Sequence, residues 1–273
     1  MTQRDKAERL LALHQPGYPL LLVNAWDAAS ARVVVYAGAP AVATSSAAAA
    51  FGLGYPDGQR ISREEMLGAV EIIARAVDVP VTADMEAGYG DLPEDAAETA
   101  RGVIQAGAVG LNMEDTTGFG FLLGIDQAVA KIEAVRAVAD ETGVPLVLNA
   151  RVDTYLSRVG HDDTQLTETI ERGRAYRDAG ADCIFVPGVT DSQLVAAIVE
   201  GIEGNVSVLA SHQNTVAELA RAGVARISLG SGPYRAALSV ALRLADEVYS
   251  MGTFATLADA VVTHADAQRL MGG

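Results

Sequence analysis

The sequence predicts a (β/α)8 barrel, and three observations carry that prediction. Eight short apolar runs rich in β-formers, each ending in polar residues, recur along the 273 residues, and segments of helical character fill the intervals. Several of those segments end in Ala-Gly-Ala or a close variant, as in "QAGAVG", "DAGADC" and "RAGVAR". Glycine there supplies a left-handed helix stop, and its small neighbours let the chain turn closely into the next strand. Strand-helix alternation with short connections requires a parallel sheet, whose strands, buried on both faces, read as continuous apolar runs. Eight such units favour closure, and a barrel of about 250 residues uses nearly the whole chain. The competing arrangement is an open doubly wound sheet, but no G-x-G-x-x-G follows the first run.

Residues 1–18, with "MTQRDKAERLLALHQ", read as an amphipathic N-terminal helix before the barrel. The strands are expected in 19–27, 41–46, 79–86, 108–115, 144–153, 181–188, 205–212 and 224–232. Helices are expected in 30–38, 62–77, 92–107, 124–143, 165–180, 192–202 and 215–223. In "EEMLGAVEIIARAV", Met66, Leu67, Val70, Ile73 and Ala74 recur at the three-to-four spacing of one buried helical face. Residues 232–273 predict further C-terminal helices, two of them in "PYRAALSVALRLADEVYSMGTFATLADAV", with a surplus to pack on a neighbouring subunit. No linker interrupts the chain, so 1–273 reads as one domain.

A formal net charge of −15 argues against nucleic acid or an anionic membrane surface as partner. No apolar run approaches the ~20 residues of a membrane span. The lone cysteine, Cys183, sits in "ADCIFV" and reads as a buried small hydrophobe, which leaves neither a disulfide framework nor a cysteine metal cluster. A cytoplasmic location is the simplest reading.

In a parallel barrel the site forms where strands end at their C-terminal side. The polar residues there are Trp26, Asp27, Ser45, Ser46, Asp84, Glu86, Glu114, Asp115, Arg151, Asp153, Ser211, His212 and Ser231. The acidic ones concentrate on strands three to five. Carboxylates converging in a low-dielectric mouth repel one another or take up protons, and a hard divalent cation resolves the conflict. Mg2+, or Mn2+ with the same oxygen donors, is therefore expected, with Asp84 bound directly and Glu86 and Glu114 directly or through water. Taken singly, these acids read equally well as helix caps or loop residues.

Arg151 is placed to clamp a carboxylate or phosphoryl group of an anionic substrate, or to form a salt bridge with Glu114 or Asp153. Ser45 and Ser46 read as a cradle for a second carboxylate, or as a loop cap. Tyr89 and His212 are the candidate proton carriers. His14, His161 and His264 fall in segments remote from the mouth.

With those residues in view, "TADMEAGYGD" resembles the metal-binding segment of the isocitrate lyase and phosphoenolpyruvate mutase superfamily. The resemblance extends through "NAWDAASARVVVYAGAPAVATSS", "LGYPDG", "AGAVGLNMED", "NARVDTYL" and "AYRDAGADCIFVPG", in the expected order over residues 24 to 188. It implies a Mg2+-binding (β/α)8 barrel that makes or breaks C–C or P–C bonds in small keto or hydroxy acids. It also implies a homo-oligomer, dimer or tetramer, with a late helix exchanged between subunits. By position, Asp84 resembles the direct metal ligand, Glu86 and Glu114 hold its waters, and Ser45 with Ser46 cradles the substrate carboxylate. Asp57 of "YPDG" matches the gate or base, Arg151 the substrate clamp, and Trp26 and Asp27 the floor.

Three departures bear on the reaction. Glu86 stands where the family pattern has Asp, and Ser46 where it has Gly. The lyases' Lys-Lys/Arg-Cys-Gly-His loop is replaced by "DTTGFGFLLG", which holds no Cys, Lys or His; the mutases' gating Lys and Asn are missing as well. The expected activity is a Mg2+-dependent lyase or decarboxylase acting on a small 2-keto or 2-hydroxy di- or tricarboxylate through an enolate. The alternatives are a phosphonomutase or phosphonopyruvate hydrolase, and a keto-acid-binding protein with little turnover.

Overall fold

The computed structural model describes residues 1–117, 121–157, 162–259 and 261–272. Its strands are β1 (Leu20–Leu22), β2 (Val42–Ala43), β3 (Val81–Asp84), β4 (Gly110–Glu114), β5 (Val147–Arg151), β6 (Cys183–Val186), β7 (Val206–Leu209) and β8 (Arg226–Ser228). All pair in parallel, in the order β1-β8-β7-β6-β5-β4-β3-β2. The two end strands meet through a single bridge between Ala25 and Thr44, where the Ala25 N–H donates to the Ala43 carbonyl at 2.8 Å. The expected barrel is thus present and nearly closed, with its seam next to Ser45.

Seven helices wrap it: α2 (Ala28–Tyr36), α4 (Arg63–Ala76), α5 (Pro93–Gln105), α6 (Ile125–Thr142), α7 (Asp162–Asp178), α8 (Ser192–Ile202) and α9 (Val216–Arg221). Gly107, Gly180 and Gly223 in the Ala-Gly-Ala turns all hold left-handed φ, between 85° and 105°, which explains the recurring motif. The apolar face expected in α4 is buried at Met66, Val70, Ile73 and Ala74.

The N-terminal helix is shorter than the sequence reading: α1 (Gln3–Ala12), capped by Thr2 and Asp5. It stops the N-terminal end of the barrel by placing Ala7 and Leu10 against Leu20, Leu22, Ala41, Ala43 and Val147. A Cβ on Gly110 would lie 2.8 Å from Leu10 Cδ2, so glycine there admits the plug.

Two further features differ from expectation. A short helix, α3 (Ser46–Gly52), follows β2. After β8 the chain forms one long helix, α10 (Gly232–Met251), a 3-10 segment (Ala255–Asp259) and α11 (His264–Leu270), instead of two helices within 233–261. Gly252, at φ 68°, stops α10, and Thr263 restarts the helix with an Asp266 capping box. Only Glu247 of α10 is buried, whereas Leu238, Val240, Leu242 and Tyr249 are exposed. Among the described residues, no helix is long and apolar enough to cross a membrane.

Candidate active site

Strand register brings the acidic residues together. Asp84 pairs with Asn112 across β3 and β4, and Glu114 pairs with Arg151 across β4 and β5. At the end of β3, Asp84 Oδ2 accepts from the Ser46 backbone N–H at 3.1 Å and the Ser46 hydroxyl at 2.8 Å. Ser46 therefore serves Asp84. Ser45, also buried, caps α3 by accepting from the Ala48 N–H at 3.3 Å.

Strand alternation ends at Asp84, where the chain enters a tight loop. Glu86 (φ 50°), Gly88 (86°) and Tyr89 (60°) all lie in the left-handed region. Glu86 is 2% exposed, and neither carboxylate oxygen has a partner in hydrogen-bonding geometry. Burial, followed by the charges of Asp84 and Asp57, pushes its carboxyl up to about 7, while the Gln59 backbone and Arg151 pull it down.

Arg151, at the end of β5, donates through Nε to Asp153 at 2.6 Å and through Nη2 to Glu114 at 2.9 Å. Both ion pairs raised by the sequence reading are present. Burial opposes the guanidinium charge, but Glu114 and Asp153 offset it and raise the pKa above the ordinary arginine value. Burial holds the Glu114 carboxyl well above the carboxylate range, against the pull of Arg151. Asp115 points away into a separate network, with the Tyr176 hydroxyl at 2.8 Å and Arg172 Nη1 at 3.2 Å, and it accepts the Asp153 backbone N–H at 2.9 Å. It fixes the loop that carries Asp153.

Glu86, Glu114, Arg151 and Asp153 open into a cavity of about 200 Å3, with Gln59 and Thr116 also on its wall; Asp84, Ser45, Ser46 and Tyr89 are not among the residues that line it. At roughly 30 Å3 per water molecule, that is the size of a small organic acid. Asp57 lies on the exposed turn above it; its Oδ1 accepts the Gly58 N–H at 2.9 Å and its charge reaches Glu86. The Tyr89 hydroxyl is buried without a partner, and burial, with Glu86 and Asp84 nearby, suppresses its ionisation.

Other predicted residues stand apart. Trp26 packs edge-on against Tyr234 at 5.2 Å, and with Asp27 it lines a second cavity of about 700 Å3 between α3, α4 and α10 rather than the floor of the acidic one. Asp27 caps α2. His212 is exposed in the turn after β7 and does not line the acidic cavity. His264 begins α11, and His14 is buried at the end of α1. His161 lies outside the described residues. Cys183 is buried as expected, and burial lifts its thiol to about 12.

Sequence reasoning missed Arg226. Wholly buried in β8, it donates through Nη2 to Asn112 Oδ1 at 3.0 Å, which also accepts from Asn149 Nδ2 at 2.9 Å. Burial lowers its pKa to about 10, partly countered by Cys183 and Asp84. An arginine inside an apolar run is the signal that a buried cation lies under the mouth.

The donor chemistry suits a hard cation, because the acidic groups offer oxygen alone and Glu86 is an unpaired buried carboxylate. The three carboxylates expected at the ion, Asp84, Glu86 and Glu114, stand here in different surroundings. Among the described residues, no three His, Cys, Asp or Glu side chains are placed to hold an ion. Asp84 is turned to Ser46 and Glu114 to Arg151, which leaves Glu86 alone.

A nearly closed parallel barrel with carboxylates and an arginine at its strand ends defines a barrel protein with an acidic, ligand-sized mouth. Residues 10–249 match the phosphoenolpyruvate phosphomutase family, and the chain belongs to that family. An uncharacterized protein of Mycobacterium tuberculosis strain H37Rv is 38% identical over 86% of this chain and 87% of its own. The oxaloacetate decarboxylase of Rhodopseudomonas palustris strain CGA009 is 32% identical over 72% of this chain and 68% of its own. A crystal structure from Burkholderia cenocepacia J2315, provisionally described as a phosphonomutase, is 42% identical with a TM-score of 0.86, covering 90% of this chain and 99% of the other.

Proposed function

We propose that this protein is a divalent-metal-dependent carbon–carbon lyase or decarboxylase, acting on a small 2-keto or 2-hydroxy di- or tricarboxylate through an enolate. The observation that carries this reading is Glu86: a buried carboxylate with both oxygens unpartnered, beside Arg151 in an acid-sized cavity. Asp84, Glu86 and Glu114 are the residues that would hold Mg2+, or Mn2+. When bound, the ion supplies Lewis-acid stabilisation of the negative charge that develops as the bond breaks.

The chain's own residues do the rest. Arg151, held in a fixed orientation by Glu114 and Asp153, presents its cationic face to the substrate's anionic group. Ser45 and Ser46 stand at the seam as hydrogen-bond donors, Ser46 already orienting Asp84. Asp57 gates the mouth from its turn. Tyr89, kept neutral by burial, or solvent returns a proton to the enolate, in place of the cysteine loop.

Phosphorus–carbon chemistry is the second reading, supported by the 42% identity to the Burkholderia cenocepacia protein described as a phosphonomutase. Purified protein with Mg2+ is incubated with oxaloacetate, methylisocitrate, isocitrate and phosphonopyruvate while pyruvate, glyoxylate and phosphate are followed. Pyruvate from a carboxylic substrate is expected. Phosphate from phosphonopyruvate would transfer the assignment to the second reading, and tight keto-acid binding without product would leave a binding protein.

A further inference from the structure

The loop that carries Glu86 is held from outside by its carbonyls. The Met85 carbonyl accepts from the Gly88 N–H at 2.9 Å, and the Glu86 carbonyl from the Glu114 N–H at 2.9 Å. The next four carbonyls all accept from side chains. Lys131 Nζ of α6 donates to Ala87 at 2.5 Å, Thr99 Oγ1 of α5 to Gly88 at 2.7 Å, Arg63 Nη2 of α4 to Tyr89 at 3.1 Å, and Lys131 Nζ again to Gly90 at 2.8 Å. Three helices thus grip one five-residue loop, and Lys131 grips it twice.

We infer that Lys131 is a positioning residue, a buried ammonium that staples Ala87 to Gly90 within the Glu86–Gly90 loop and so fixes the Glu86 carboxylate at the mouth. Lys131 is 1% exposed, and the charges of Asp91, Asp95 and Glu114 reach it from its surroundings. Burying an ammonium is unfavourable unless hydrogen bonds and nearby charge compensate it, and here two of its three N–H donors go to backbone carbonyls while the charges of Asp91, Asp95 and Glu114 favour it. The loop needs such a hold. Glu86 and Tyr89 occupy left-handed conformations that non-glycine residues adopt only where surrounding structure enforces them. A Cβ on Gly90 would collide with the Asp95 carboxylate, so the loop is also pressed against α5. Released from Lys131, the loop keeps its contacts to Thr99, Arg63, Gln59 and the Glu114 N–H and loses the group that joins Ala87 to Gly90.

The inference rests on the metal-dependent reading above, and its test separates the two. Lys131→Met keeps the stem and removes the ammonium; Lys131→Gln, which keeps an N–H donor, serves for comparison and replaces it should the Met protein not fold. Each is compared with the parent by Mn2+ titration, followed by electron paramagnetic resonance of the free ion, and by amide hydrogen exchange. Lys131→Met is expected to weaken Mn2+ binding at least tenfold and to speed exchange in 86–90 by two orders of magnitude or more. Exchange in β6 and β7 should stay at the parent rate, and Lys131→Gln should fall between. Unchanged exchange in 86–90, or faster exchange spread evenly over the barrel, would overturn the staple and leave an ordinary core lysine. A parent that binds no Mn2+ would overturn the metal reading instead, while the exchange comparison still decides the role of Lys131.

Discussion

Arg151 and Glu114 face each other in register across β5 and β4, joined at 2.9 Å at the rim of the barrel. The guanidinium is thus already oriented by two carboxylates, and on the proposed function a substrate anion would meet it in that orientation.

Arg151→Lys tests that double role. A lysine keeps the charge but presents a point donor in place of a planar fork, so it cannot hold Glu114, Asp153 and a substrate together. The variant should fold, lose on the order of 1–3 kcal/mol of stability in urea titration, and lose at least a hundredfold in kcat/KM. Arg151→Ala should lose more stability, about 3–5 kcal/mol, because the buried Asp153 and the half-buried Glu114 remain unpaired. Activity in the Lys variant close to that of the parent would reduce Arg151 to a structural role.

Asp84 and Glu86 are separable by calorimetry. Asp84→Ala removes the carboxylate that Ser46 orients and should abolish Mg2+-dependent activity together with the heat of Mg2+ binding. Glu86→Gln keeps the volume but removes the unpartnered charge and should weaken binding by about 1–3 kcal/mol, the scale of a hydrogen bond to a charged group. Metal dependence unchanged in Asp84→Ala would remove it from the ion.

The barrel was legible because its strands are buried on both faces and leave continuous apolar runs, and because Gly107, Gly180 and Gly223 mark the helix stops. Positions at the ends of those runs located the acidic residues too. Side-chain direction was not legible. Nothing local to "NAWD" says that Trp26 turns outward to Tyr234, or that Asp115 turns to Tyr176. Lys131 and Arg226 carry residue types that normally face solvent, and only the tertiary fold encloses them. In "TSSAAAAFG" the alanines gave no periodicity from which to read α3, and Gly252 divides the C-terminal apolar stretch after a single helix.

The exposed apolar face of α10 predicts self-association. Leu21, Val23 and Val33 are exposed beside a barrel cavity of about 650 Å3 with largely apolar lining, so apolar surface is unpaired on both the helix and the barrel. Light scattering on the eluted protein should give a dimer or tetramer. Leu242→Asp with Tyr249→Asp should shift it towards monomer. A monomeric parent, or an unaffected double variant, would sink this prediction.

The last prediction concerns His14, which α1 buries at the bottom of the barrel. Its Nδ1 meets the Leu10 carbonyl at 2.8 Å, and Nε2 has no partner. Burial first, then the positive charge of Arg226, lowers its pKa from 6.5 to about 4. Between those values the unfolded chain binds a proton that the folded protein does not, so stability rises with pH across the window. The contribution is complete above 6.5, declines as pH falls, and is lost by about 4, amounting to on the order of 3 kcal/mol. Glu86, whose carboxyl is raised to about 7, acts in the opposite direction over part of the same range, so the parent's curve alone cannot isolate the histidine. The difference between parent and His14→Phe isolates it. Urea titrations from pH 4 to 7 should show the parent losing stability on acidification faster than the variant by about that amount. Parallel curves would mean that His14 is not held neutral in the folded protein, and that the bottom of the barrel admits its charge.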